Sequence, residues 1–140
     1  MGAQENTQLV KEAYMAFARG DMAALLGLMS EDVVWRSPGT DMPLSGTYKG
    51  RSGVANFFEK LAGTAEMLSF EPQEFIAEGD RVVVTGNERV RIKSTNRILE
   101  QDWVMLFTVR DGRIAAFAEY YDTLAVAAAY GIAARAVGSA

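Results

Sequence analysis

The chain contains no cysteine and no histidine in its 140 residues. Without cysteine there is neither a disulfide nor a thiol nucleophile. Without histidine the commonest general base is gone, and the two absences together remove the usual zinc ligands. Positive charge is scarce as well: 14 Lys and Arg stand against 18 Asp and Glu, a net charge of −4, whereas a nucleic-acid footprint is basic. No apolar run reaches the ~20 residues of a membrane span, and no signal-peptide core follows Met1. The expectation is a cytoplasmic protein with no metal, no cofactor, no nucleic-acid partner and no membrane partner.

What is present suffices for one domain with its own core. Hydrophobic residues make up 49% and charged residues 23%, ordinary values for a globular chain. A domain of this length hides roughly two thirds of its unfolded surface. Leu9, Val10, Ala13, Ala16 and Phe17 recur at helical spacing within residues 6–19, with Lys11, Glu12 and Arg19 opposite. Gly20 suits a left-handed helix end, and Asp21 can cap a second helix, Met22 to Met29. Val33-Val34-Trp35 has strand character; residues 37–46, with two prolines, read as a loop. A third helix follows Gly50-Arg51-Ser52, its apolar positions Val54, Phe57, Phe58 and Leu61 on one face.

From Ser69 the pattern turns extended, over roughly 68–78, 81–94, 97–109 and 113–122. Glu78-Gly79-Asp80, Thr95-Asn96 and Arg110-Asp111-Gly112 supply the hairpin turns between. Thr123 to about Tyr130 is alanine-rich and helical, and the last residues are expected to fray. The fold class is therefore α+β: three N-terminal helices packed on one face of an all-antiparallel meander. Its long strands twist and curl into a cone with a pocket at the mouth.

Several motifs carry a family likeness in order along the chain: Tyr14-x-x-Phe17-x-x-Gly20-Asp21, Glu31-Asp32-Val33-Val34-Trp35, Pro38-Gly39, Gly46-x-Tyr48-x-Gly50, Gly79-Asp80, Asp111-Gly112-Arg113-Ile114 and Glu119-Tyr120-Tyr121-Asp122. The chain resembles the nuclear transport factor 2-like superfamily (a cystatin-like fold) in its SnoaL-like, ketosteroid-isomerase-related branch. The resemblance covers about residues 6–130 of a single domain, 1–140. It implies the cone fold and a homodimer formed through the outer sheet face. The scaffold hosts isomerases, cyclases, epoxide hydrolases and binders. Of the ketosteroid isomerase set, the base position falls on Ser37, the oxyanion tyrosine on Ala13 and the second acid near Met105, so that chemistry is not implied. Tyr14, about 100° round the helix from Ala13, reads as a packing anchor. Of the limonene-type epoxide hydrolase set, Arg89 matches the arginine and Glu119 one acid, while the other acid falls on Arg91 and the asparagine on Ser37. SnoaL-type cyclases pair an acid with a histidine; here Asp122 or Glu119 could supply the acid.

Glu119, between Phe117 and Tyr121 on one strand face, is the leading acid–base candidate, since a carboxylate among aromatics has its pKa raised or finds a cation. Its face depends on the preceding hairpin. A two-residue loop would set Met105 against Ala118 and Trp103 against Tyr120. A three-residue loop with a bulge would set Met105 against Phe117 and Trp103 against Glu119, and this second register is the one expected. Arg89 is the expected partner of Glu119, although Arg89 and Arg91 could instead share a solvated face. Asp122, where strand becomes helix, serves either as an N-cap or as a second acid. Phe17, Trp35, Ser37, Phe58, Arg91, Trp103, Met105, Phe117 and Tyr121 are expected to shape the substrate site. The function so indicated is an isomerase, lyase or hydrolase acting on a small apolar molecule, with a non-catalytic binder or a dimeric association module as alternatives.

Overall fold

The first helix, α1 (Ala3–Ala18), buries Leu9, Val10, Ala13 and Ala16 and ends as its sequence dictates. Gly20 takes a left-handed φ of 72°, and the Asp21 carboxylate accepts a hydrogen bond from the Ala24 N–H at 3.0 Å to start α2 (Met22–Gly27). That helix stops two residues early because Met29 already belongs to β1 (Met29–Ser37), which runs through the Ser30–Asp32 segment. A loop leads to the short β2 (Gly46–Lys49) and then α3 (Gly50–Thr64), which buries Val54 and Phe57. Four long strands follow, β3 (Ala65–Glu78), β4 (Arg81–Ile92), β5 (Ile98–Arg110) and β6 (Arg113–Tyr121), before α4 (Thr123–Tyr130). The computed structural model describes residues 2–132; the last residues, where fraying is expected, lie outside that range.

The antiparallel meander β3–β6 is present, but the sheet has six strands in the order β2-β1-β6-β5-β4-β3, and β1 runs parallel to β6. An all-antiparallel sheet is thus corrected. Local patterning marks β1 as a strand but does not name its partner, which lies 82 residues on from Trp35 at Phe117. The curl has a visible cause in β3. Its pairing with β4 slips between Met67 and Ser69 and again between Pro72 and Glu74, and each bulge bends a strand and raises its twist. Across the two slips the inward set passes from Ala65 and Met67 to Phe70 and then to Phe75 and Ala77, each packed in or against the core.

One glycine makes the inner wall possible. Gly86 on β4 lies opposite Trp103 on β5, and a Cβ at Gly86 would sit 2.2 Å from Trp103 Cζ2 and 2.6 Å from the Glu71 carbonyl oxygen. The indole fills the missing side-chain space and is 2% exposed. It stacks on Phe70 at 4.8 Å and on Tyr14 at 6.0 Å between ring centroids.

The β5–β6 hairpin corrects the expected register. The loop is the two-residue one, with Asp111 and Gly112 both at positive φ (53° and 72°), the signature of a type I′ turn. A bulge then falls inside β6, where Val109 pairs with Ile114 but Thr108 with Ala116. Met105 therefore faces Glu119 rather than Phe117, and Trp103 faces Tyr121 rather than Glu119. The extra residue, Ala115, restores the parity that the short loop takes away. Glu119 consequently shares the inner face with Trp103, Met105, Phe117 and Tyr121, as expected, although its cross-strand partners lie two residues off.

Candidate functional site

Inside the curled sheet, under α1 and α3 and beside α4, is an apolar pocket of about 1000 Å³, counting the open space at its mouth. Phe17, Trp35, Phe58, Met105, Phe117, Glu119 and Tyr121 all line it, as the sequence indicates. The parallel β1–β6 pairing builds its polar end. It sets Trp35 beside Phe117, with ring centroids 3.6 Å apart and planes 15° from parallel. Two residues further along, Ser37 meets Glu119: its Oγ donates to Glu119 Oε1 at 3.1 Å. Ser37 is 6% exposed.

Burial among these aromatics pushes the Glu119 carboxyl up to about 8; the charge of Glu88 raises it further, while the Ser37 hydrogen bond works the other way. Glu119 is thus protonated at neutral pH, its Oε1 held by serine. Burial and then the Glu119 charge raise the phenols of Tyr14 and Tyr121, so both stay neutral donors. Tyr14 lines the pocket as well as anchoring α1, and its hydroxyl donates to Met105 Sδ at 3.0 Å. A thioether is a weak acceptor, so a ligand oxygen would compete for that proton easily.

Four expected residues stand elsewhere. Arg89 is exposed on the outer face of β4, flanked in the ladder by Ser69 and Glu100, so it cannot partner Glu119 inside the cone. Arg91 shares that outer face and pairs with Glu66 at 2.9 Å and with Asn96 Oδ1 at 3.1 Å. Asp122 caps α4, accepting from the Ala125 N–H at 3.0 Å. Trp103 is inner-facing but sits behind Tyr14 and Phe70 as wall rather than lining.

The sequence reading passed over Glu88. It lines the pocket, its carboxylate accepts from Gln101 Nε2 at 2.7 Å, and burial raises its pKa while that hydrogen bond lowers it. The signal was available: on β4 Val90 and Ile92 alternate with Arg89 and Arg91, and the same alternation puts Glu88 inward.

Residues 10–117 match the SnoaL-like domain model. The chain belongs to the SnoaL-like family. A protein of Mycobacterium tuberculosis, Rv0034, is 30% identical to this SnoaL-like chain over 113 residues, covering 81% of this chain and 86% of that protein. Among solved structures, an NTF2-like protein from Burkholderia xenovorans LB400 is 45% identical, with a TM-score of 0.85 over 92% of this chain and 98% of its own. TerC, co-crystallised with polyporic acid, is 29% identical, with a TM-score of 0.80 over 92% of this chain and 98% of its own. The cone and its enclosing helices are the family's fold, and among the described residues no helix is long and apolar enough to cross a membrane.

Proposed function

We propose that this SnoaL-like protein is an enzyme of isomerase or cyclase type that moves a proton on a small, mostly apolar substrate held in the cone. The observation that carries this reading is the Ser37-held, buried carboxyl of Glu119 facing an apolar pocket. A carboxyl near its own pKa at working pH serves equally as donor and acceptor. Glu119 gives its proton to one substrate atom and takes one from another, so no net proton is consumed. Tyr14 exchanges its thioether acceptor for the substrate oxygen that gains charge, as an oxyanion donor does. Trp35 and Phe117, stacked on each other, form an apolar wall against which the substrate rests. That TerC was co-crystallised with polyporic acid supports a small organic molecule as the ligand of this chain. The outward position of Arg89 argues against an arginine–carboxylate epoxide hydrolase.

The outer sheet face exposes Leu68, Ile76, Ile98, Val104 and Tyr120, which supports a homodimer formed there, and we place the protein in the cytoplasm.

Glu119→Gln keeps shape and removes the transferable proton. In a screen of enolisable ketones and polycyclic phenols, this variant should bind nearly as well as the parent and lose ~10²–10⁴ in turnover. Undiminished turnover would refute Glu119's role. Binding without turnover in both proteins would make this a ligand-binding member of the family.

A further inference from the structure

Glu119 occupies only one end of the polar surface inside the cone. The other end is built on β4 and β5, where Glu88 and Gln101 face each other across the ladder. Gln101 is 9% exposed. Its Nε2 donates to Glu88 Oε2 at 2.7 Å, while its Oε1 is buried and unpartnered among the described residues. A buried acceptor left without a donor is costly, so its place in the pocket lining points to a ligand that supplies the hydrogen. The amide gives Glu88 its N–H and so turns its oxygen away from it. The surroundings are otherwise apolar: Met67, Phe70, Val90 and Leu99 line the same space.

The two ends are separated but not independent. Gln101 and Met105, the cross-strand partner of Glu119, are four residues apart on β5, about 13 Å along the strand. The charge of Glu88 is nonetheless felt at Glu119 and at Tyr121. A ligand that reaches from one end to the other has the length of a small fused or linked ring system.

We propose that Glu88 and Gln101 form a second polar contact of this pocket, accepting a hydrogen bond from a hydroxyl group on the far end of an uncharged, ring-based substrate. The proposal rests on the reading of the cone as a small-molecule site and adds which substituent the molecule carries. The same constellation disfavours a carboxylate at that position, because its oxygens would meet the acceptor oxygens of Glu88 and Gln101.

The test uses four probes of one shape: naphthalene, 2-naphthol, 2-naphthylamine and 2-naphthoate, with affinities read by ligand-observed NMR on the full chain at pH 7. The parent should bind 2-naphthol about tenfold more tightly than naphthalene, the scale of one hydrogen bond to a charged or buried acceptor, and should bind 2-naphthoate most weakly. Gln101→Met, which removes the unpartnered oxygen at similar volume, should bring naphthol and naphthalene to within about twofold of each other. Glu88→Gln, which keeps shape and replaces an acceptor oxygen by an N–H donor, should raise the affinity for 2-naphthoate. Glu119→Gln should retain the hydroxyl preference.

Equal binding of naphthol and naphthalene by the parent would overturn the contact while leaving the pocket in place. A preference lost only in Glu119→Gln would move the hydroxyl site to Glu119 and overturn it equally. If 2-naphthylamine alone outperforms naphthalene, the site selects amines and the hydroxyl assignment fails. Failure of all four probes to bind would count against the small-molecule reading itself.

Discussion

Gly86→Ala perturbs the wall on which the pocket rests, and its cost follows from two distances. The new methyl would lie 2.2 Å from Trp103 Cζ2 and 2.6 Å from the Glu71 carbonyl oxygen, both well inside contact. Overpacking a full core typically costs about 1–3 kcal/mol. Here the upper part of that range applies, because Tyr14 and Phe70 already pack against the indole and because the carbonyl belongs to the neighbouring strand and cannot rotate aside. The Ala side chain recovers roughly 0.5–1 kcal/mol by reducing the freedom of the unfolded chain. A net loss of about 2 kcal/mol remains. Urea unfolding followed by tryptophan emission would show it as a lowered midpoint, by ~1 M if the slope is near 2 kcal/mol/M. Trp103→Phe in the Gly86→Ala background should recover part of the loss but not all, since it relieves the clash with the ring and leaves the one with Glu71. A Gly86→Ala variant as stable as the parent would show that Trp103 does not occupy the space over that glycine.

Two further outcomes follow. The Glu119 carboxyl is raised from 4.5 to about 8 in the fold, so the folded state keeps a proton that the unfolded chain releases. Its contribution favours folding fully below pH ~4.5 and is lost as pH rises toward 8; at about 1.4 kcal/mol per tenfold change this reaches on the order of 4 kcal/mol. Urea titrations at pH 5 and pH 8 should show that decline, and Glu119→Gln should flatten it; a flat profile in the parent would refute the burial argument. The outer-face homodimer should bury at least ~1,000 Å² in total, and sedimentation at micromolar concentration should show twice the chain mass, a clean monomer being the contrary result.

Most of the architecture was legible because local chemistry wrote it. Gly20 and Asp21 punctuate α1 and α2, Asp111 and Gly112 take the positive φ values of their turn, and Val54 and Phe57 bury the face that their spacing defines. What was not legible depends on pairing at a distance. The parallel contact of β1 with β6 brings Ser37 to Glu119, and no spacing in the sequence encodes that meeting. The two-residue loop and the β6 bulge at Ala115 together shift every partner of Glu119 by two residues from the expected register yet leave its face unchanged. Likeness to a related active site points Arg89 inward, whereas its own alternation with Val90, which is 5% exposed, points it to the solvated face that the sequence also allows. Glu88 obeys the same alternation, but a carboxylate reads as solvated by residue type alone, and only the face it shares with buried Val90 and Ile92 marks it as inward.

The central claim is that a carboxyl inside the cone stays protonated at neutral pH. Carbon-13 NMR of the parent, with glutamate side-chain carboxyls labelled, measures this directly across pH 3–10. One resonance should titrate near 8 and be missing from the Glu119→Gln spectrum. Every glutamate titrating within the ordinary range, about 4–5, would contradict the account.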